Sequence, residues 1–144
     1  MFVHQILGTK KSRDVLTVRP DASVSEAARL LSEHRIGALV VSADGRSVAG
    51  MFSERDIVRE LGRRGSACLN DRVSDLMTSD VKTCSLNDRA DQILTTMTEG
   101  RFRHLPVMED DRLVGVISIG DVVAARLKEI EGEKIALEDM IRGY

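Results

Sequence analysis

The sequence has no tryptophan, one tyrosine and three phenylalanines, so no aromatic cluster can organise its interior and the core must come from Val, Ile, Leu, Met and Ala. There are two cysteines, Cys68 and Cys84, with no Cys-x-x-Cys and no clustered histidines, which argues against zinc and leaves two free thiols in a reducing compartment as the expectation. No apolar run approaches the roughly 18 residues of a membrane span, and the first residues lack a basic region leading into an apolar stretch, so the expected location is the cytoplasm. Neither sign of charge dominates. A net charge of -2 offers no general pull toward phosphate backbones and disfavours a nucleic-acid partner. Gly-x-Gly-x-x-Gly, Gly-x-x-x-x-Gly-Lys-Ser and Gly-x-Ser-x-Gly are all absent, and His4, His34 and His104 have no nucleophile at a recognisable spacing, so an enzyme is not expected.

What the sequence does contain is a duplication. Leu113-Val114-Gly115-Val116-Ile117-Ser118-Ile119-Gly120-Asp121 repeats, with changes, Val48-Ala49-Gly50-Met51-Phe52-Ser53-Glu54-Arg55-Asp56. Upstream, Asp14, Thr17, Arg35, Leu39 and Val41 recur 66 positions later as Asp80, Thr83, Arg101, Leu105 and Val107; one residue is lost in the second turn, and the offset falls to 65. A period of this length is one whole supersecondary unit, and two such units pack face to face because neither can bury its apolar surface alone.

Each unit reads as strand, helix, strand, strand, helix. In the first, Val15–Val18 is a short strand ended by Pro20; Ser23 and Glu26 form a capping box for a helix ending near His34 and broken by Gly37. Ala38–Val41 is a buried strand, Ala43–Arg46 a turn, and the strand from Val48 to Phe52 returns antiparallel. The helix after Ser53 runs to about Leu61, closed by Gly62 and Gly65. The expected division is a lead-in (1–13), a first repeat (14–62), a connector (63–79), a second repeat (80–127) and a helical extension (128–144). The fold class is α+β, sandwich-like, with pseudo-two-fold symmetry. The tail from Asp121 to Arg142 is the longest helical stretch, with Ile130, Ile135, Leu137, Met140 and Ile141 among many charges and Gly132 as a possible kink. A helix this long outlasts what one small domain covers, which suggests a subunit contact in a homodimer.

Two constellations carry chemistry. Ser53 with Asp56, and Ser118 with Asp121, have the spacing of helix caps, a structural role they can fill without any ligand. Beside them, Gly50 and Gly115 permit close approach of a ligand or of another backbone; a helix N-terminus suits an anion; and a carboxylate accepts from two adjacent ribose hydroxyls. The second constellation is Arg101-Phe102-Arg103-His104-Leu105-Pro106-Val107, where two guanidinium groups and an imidazole precede a buried strand. The matching His34-Arg35-Ile36-Gly37-Ala38 is less basic, so two sites, if present, are not equivalent. Glu109, Asp110 and Asp111 read as a solvated turn.

The doubled Gly-x-x-Ser-x-x-Asp pattern, with His104-Leu105-Pro106-Val107 and Gly115 to Asp121, resembles a tandem pair of CBS domains, a Bateman module, from Asp14 to Leu127. The Ser-Glu-Arg-Asp and Arg-Phe-Arg-His-Leu-Pro-Val segments are similar to those of stand-alone modules that take up AMP and nicotinamide dinucleotides. The resemblance implies two clefts for adenosyl ligands such as AMP, ATP, NAD(H) or S-adenosylmethionine. In one, Asp121, Ser118 and Val116 would work with Ile36, Gly37, Ala38 and Lys11. In the other, Asp56, Ser53, Met51 and Arg55 would work with Thr78, Lys82, Phe102, Arg103 and His104, the basic cluster meeting a second phosphate. The implied function is regulatory: a nucleotide sensor whose change of shape is read by a partner protein. A purely structural dimerisation module and a nucleotide-processing enzyme are the alternatives.

Overall fold

The computed structural model describes residues 1–10 and 15–143; Lys11, Asp14 and Tyr144 are outside the described residues. The order of elements is α1 (Val3–Gly8), β1 (Thr17–Val18), α2 (Val24–His34), β2 (Ala38–Val41), β3 (Gly50–Ser53), α3 (Glu54–Arg64), a 3-10 turn (Gly65–Asn70), α4 (Val73–Leu76), β4 (Cys84–Ser85), α5 (Ala90–Gly100), β5 (His104–Glu109), β6 (Arg112–Ser118) and α6 (Ile119–Arg142). The expected α+β class and the doubled β-α-β-β-α pattern are both present, with a long C-terminal helix. No helix among the described residues is long and apolar enough to cross a membrane.

Each unit holds a three-stranded sheet in chain order, with the first pair parallel and the second antiparallel. Ala38 lies opposite Ser53, and His104 opposite Ser118. The start of each middle strand is thereby held beside the Ser that begins the following helix. Backbone bonds from Glu54 N–H to the Gly37 carbonyl (3.0 Å) and from Ile119 N–H to the Arg103 carbonyl (2.8 Å) secure the same junction.

The lost residue in the second turn has a local cause. Asp110 and Asp111 both take positive φ, 50° and 61°, and close a two-residue hairpin. The first unit instead uses a longer loop, in which the Asp44 carboxylate accepts from the N–H groups of Arg46 (2.9 Å) and Ser47 (2.8 Å).

Helix α2 ends at His34, as expected, but the residue that closes it is Arg35 rather than Gly37: its left-handed φ of 53° lets Ile36 N–H reach the Leu31 carbonyl, and Arg101, φ 56°, occupies the same place after α5. Two further local expectations need correction. Gly62 lies inside α3, which runs on to Arg64 and is closed by Gly65 at φ 72°. Gly132 does not interrupt α6, which is continuous over 24 residues.

The segments expected as lead-in and connector are structural equivalents that exchange places. Val3 and Ile6 of α1 are buried in the second unit's core with Ile93, Met97, Leu105, Ile117 and Val122. Val73 and Leu76 of α4 are buried in the first unit's core with Val24, Leu31, Leu39 and Phe52. The helix before each repeat therefore completes the core of the other one. Gly50 and Gly115 accommodate this crossing: a methyl group at Gly50 would stand 2.6 Å from the Thr78 carbonyl oxygen, and one at Gly115 2.9 Å from Leu7 Cδ1, while Gly115 also lines the second cavity described below.

Candidate functional site

Both helix caps exist as hydrogen bonds. Ser118 N–H donates to Asp121 Oδ2 (2.9 Å), and Asp121 N–H donates to Ser118 Oγ (3.1 Å), a reciprocal capping box. At α3 the Ser53 N–H and hydroxyl both donate to Asp56 Oδ2, at 2.9 and 3.2 Å. A carboxylate offers about four lone-pair positions, so capping fixes its orientation and leaves acceptor capacity for a ligand.

The first cavity, about 730 Å³, gathers every residue expected for the Asp56 cleft: Met51, Ser53, Arg55 and Asp56 from one unit, Thr78 and Lys82 from the intervening chain, and Phe102, Arg103 and His104 from the other unit. It also takes in Glu54, Arg59, Asp80, Arg101 and the start of α6 at Ser118, Ile119 and Gly120. Five cationic residues, Arg55, Arg59, Lys82, Arg101 and Arg103, thus line the cavity together with three acidic ones, Glu54, Asp56 and Asp80. The N-termini of α3 and α6 open into this space and add to its preference for an anion. Arg59 pairs with Asp56, Nη2 to Oδ1 at 2.7 Å; the Asp56 side chain is 8% exposed and that of Arg59 57%. A ligand hydroxyl reaching Asp56 has to displace that arginine, whose solvated end can turn toward a phosphate.

The second cavity, about 810 Å³, is lined by Ile36, Gly37, Ala38, Val116 and Ser118, all expected there, together with His4, Leu7, Val15, Leu16, His34 and Leu86. Asp121 does not line it. The lysine brought to this cleft is Lys10, whose ammonium donates to both Asp121 Oδ2 and the Val116 carbonyl at 3.0 Å; Lys11, the lysine expected, lies outside the described residues. Burial acts to raise the pKa of Asp121, but the Ser118 N–H and the Lys10 ammonium outweigh it and hold the carboxyl below its ordinary value.

Gly37, Ala38, His104 and Ser118 line both cavities, so the two adjoin across a thin wall. His104 has its pKa lowered by burial first and by Arg103 and Lys10 next, against the opposing pull of Asp121 and Glu54. The imidazole in this wall is therefore held toward its neutral form. Cys84 is pushed up to about 12 by burial and by Asp88, so it remains a protonated core thiol.

The residues that the pattern did not single out had weak signals. Arg59 lies three positions after Asp56, one helical turn on and within ion-pair reach. Lys10 precedes Asp121 by 111 positions, and no local pattern links the two.

The CBS domain family model matches residues 7–63 and 73–128, one match for each half of this arrangement. The chain belongs to the CBS-domain family. The CBS-domain containing protein ATU1752 from Agrobacterium tumefaciens is 52% identical, with a TM-score of 0.82 over 88% of this chain and 99% of its own. The CBS domain-containing protein CBSX3, mitochondrial, of Arabidopsis thaliana is 35% identical over 127 residues, 85% of this chain, which spans 62% of that protein's length. The CBS domain pair of protein MJ0100, solved in complex with 5′-methylthioadenosine and S-adenosyl-L-methionine, shares the fold at a TM-score of 0.78 and 23% identity. As a CBS pair, the chain has its two cavities at the junction between its two domains, where each draws residues from both.

Proposed function

We propose that this CBS pair is a regulatory sensor of adenine nucleotides, taking AMP, ATP or NAD(H) in clefts of unequal charge and passing the bound state to a partner protein through a change of shape. The supporting observation is the Asp56 cavity: a carboxylate oriented by a helix cap shares its lining with five cationic residues and two helix N-termini, a match for ribose hydroxyls at one end and phosphates at the other. The ligands of MJ0100 are adenosyl compounds, in keeping with this assignment. In the reading proposed, Asp56 and Ser53 hold the ribose, Met51, Thr78 and Phe102 enclose the base, and Lys82, Arg55, Arg103 and His104 meet the phosphates. The Asp121 cleft, with Lys10 as its cation, takes a smaller or less charged adenosyl ligand. The molecule acts as a homodimer through the outer faces of α3 and α6, where the equivalent residues Val58 and Val123 are 67% and 40% exposed.

A dimerisation module without ligands has one observation in its favour, the complete capping box at Ser118 and Asp121. Thermal unfolding with AMP, ADP, ATP, NAD, NADH and S-adenosylmethionine separates the two. A ligand at a hundredfold its dissociation constant adds about 2.7 kcal/mol and raises the midpoint by several degrees. The expected result is such a shift with at least one nucleotide, diminished in Asp56→Ala or Asp121→Ala; no shift with any of them overturns the sensing reading, and consumption of a ligand restores an enzyme.

A further inference from the structure

The match to the CBS family ends at residue 128, but α6 continues to Arg142. From Ile130 to Gly143 every residue except Glu138 is exposed, so the fold gives this part of the helix little cover. A solvated helix of that length is marginal in water, and Gly132 weakens it further relative to alanine. Its apolar residues are nonetheless ordered. Val123, Leu127, Ile130, Leu137 and Ile141 fall on the a and d positions of a heptad, with Lys134 filling the one a position between Ile130 and Leu137. At about 100° per residue, this seam stands roughly 130° around the helix from Val122 and Ala125, which face the core. All five apolar seam residues are exposed, Leu137 by 60% and Ile141 by 86%.

We propose that residues 127–142 of two copies of this chain pair as a parallel two-stranded coiled coil with Lys134 as its polar seam residue. Charge selects both the occupant and the direction. Lys134 lies among Glu131, Glu133 and Glu138, and in a parallel pair each seam ammonium reaches Glu133 of the other copy, the g position just before it. In an antiparallel pair centred on the same seam, Lys134 faces Ile130 or Leu137, and Glu133 meets Glu133 or Met140, which leaves the lysine without its partner. About two heptads hold weakly alone; joined to a contact between the CBS domains they associate intramolecularly, at high effective concentration. The pairing rests on the homodimer proposed above and gives it an orientation, with the second CBS domains of both copies at the same end.

The test uses the full chain carrying Leu137→Cys, on the seam, or Ile135→Cys, off it, with sedimentation before oxidation; Cys68 and Cys84 are buried. The expected result is a dimer in which Leu137→Cys forms an intermolecular disulfide at least tenfold faster than Ile135→Cys, and in which Lys134→Glu weakens association at least tenfold. A dimer with equal rates at the two positions, or one that joins Leu127→Cys to Leu137→Cys in preference to Leu137→Cys to itself, overturns the parallel coiled coil and leaves the domain contact standing. A monomeric wild type overturns both.

Discussion

At Gly50 and Gly115 the same residue meets two different neighbours, and the difference sets the cost of changing it. A methyl group at Gly50 strikes backbone, the Thr78 carbonyl oxygen, in a segment held by paired bonds of 2.9 Å between Met51 and Thr78. At Gly115 it meets the flexible end of Leu7, which can turn aside. Gly50→Ala is therefore expected to cost about 1 to 3 kcal/mol, and Gly115→Ala clearly less, in denaturant unfolding. Equal costs would contradict the crossing described. His104 gives a second prediction at this scale. Its pKa in the fold lies below the ordinary 6.5, so the folded state binds fewer protons than the unfolded chain, and stability falls as pH drops through 6.5. In the function proposed, a diphosphate bound beside His104 would reverse the preference. NAD affinity is expected to rise severalfold from pH 8 to pH 6 and to lose that dependence in His104→Gln; a profile unchanged by the substitution would remove His104 from the site. The Ser-x-x-Asp and Arg-x-Arg-His segments stand out in the chain because each is a contiguous pattern, but their meeting in one cleft with Thr78 and Lys82 is an expectation from the resemblance to CBS pairs, since nothing local shows which distant segments face each other. Lys10 could not be read from the chain, because its reach to Asp121 depends on where α1 docks.

At the scale of elements, the strands and the helices after each Ser were legible from apolar runs, caps and the repeat itself. Helices α1 and α4 were not. Val3, Ile6 and Leu7 share the spacing of Val73, Leu76 and Met77, but each set spans barely one turn, too little for periodicity to distinguish a helix from a loop. Nor can any local pattern show that a segment packs on the repeat it does not adjoin. The exchange makes a definite expectation. Ile6→Ala, though six residues into the chain, should destabilise the protein by about 2 to 5 kcal/mol, with amide exchange rising first in β5 and β6. Faster exchange in β2 and β3 instead would show that α1 belongs to the first core. The residue that closes α2 was misjudged for a related reason. A left-handed residue is expected to be glycine, yet Arg35 and Arg101 hold that conformation because the next strand has to leave at that angle.

At the scale of the molecule, the duplication produced symmetry in the backbone and asymmetry in charge. The two cavities share a wall of Gly37, Ala38, His104 and Ser118, but five cationic residues line one, while the other is lined by a lysine, Lys10, whose ammonium is already joined to the Asp121 carboxylate. Ligands in adjoining clefts affect one another to the extent that each favours a different arrangement of that wall. The most direct measurement of the central claim is calorimetric titration of AMP and of NAD into the wild type, Asp56→Asn and Asp121→Asn. Asparagine keeps a side-chain oxygen for the cap and removes the charge. Two inequivalent clefts predict that Asp56→Asn weakens NAD at least tenfold while Asp121→Asn changes it little. Equal losses for NAD in both variants, or none in either, would contradict the account.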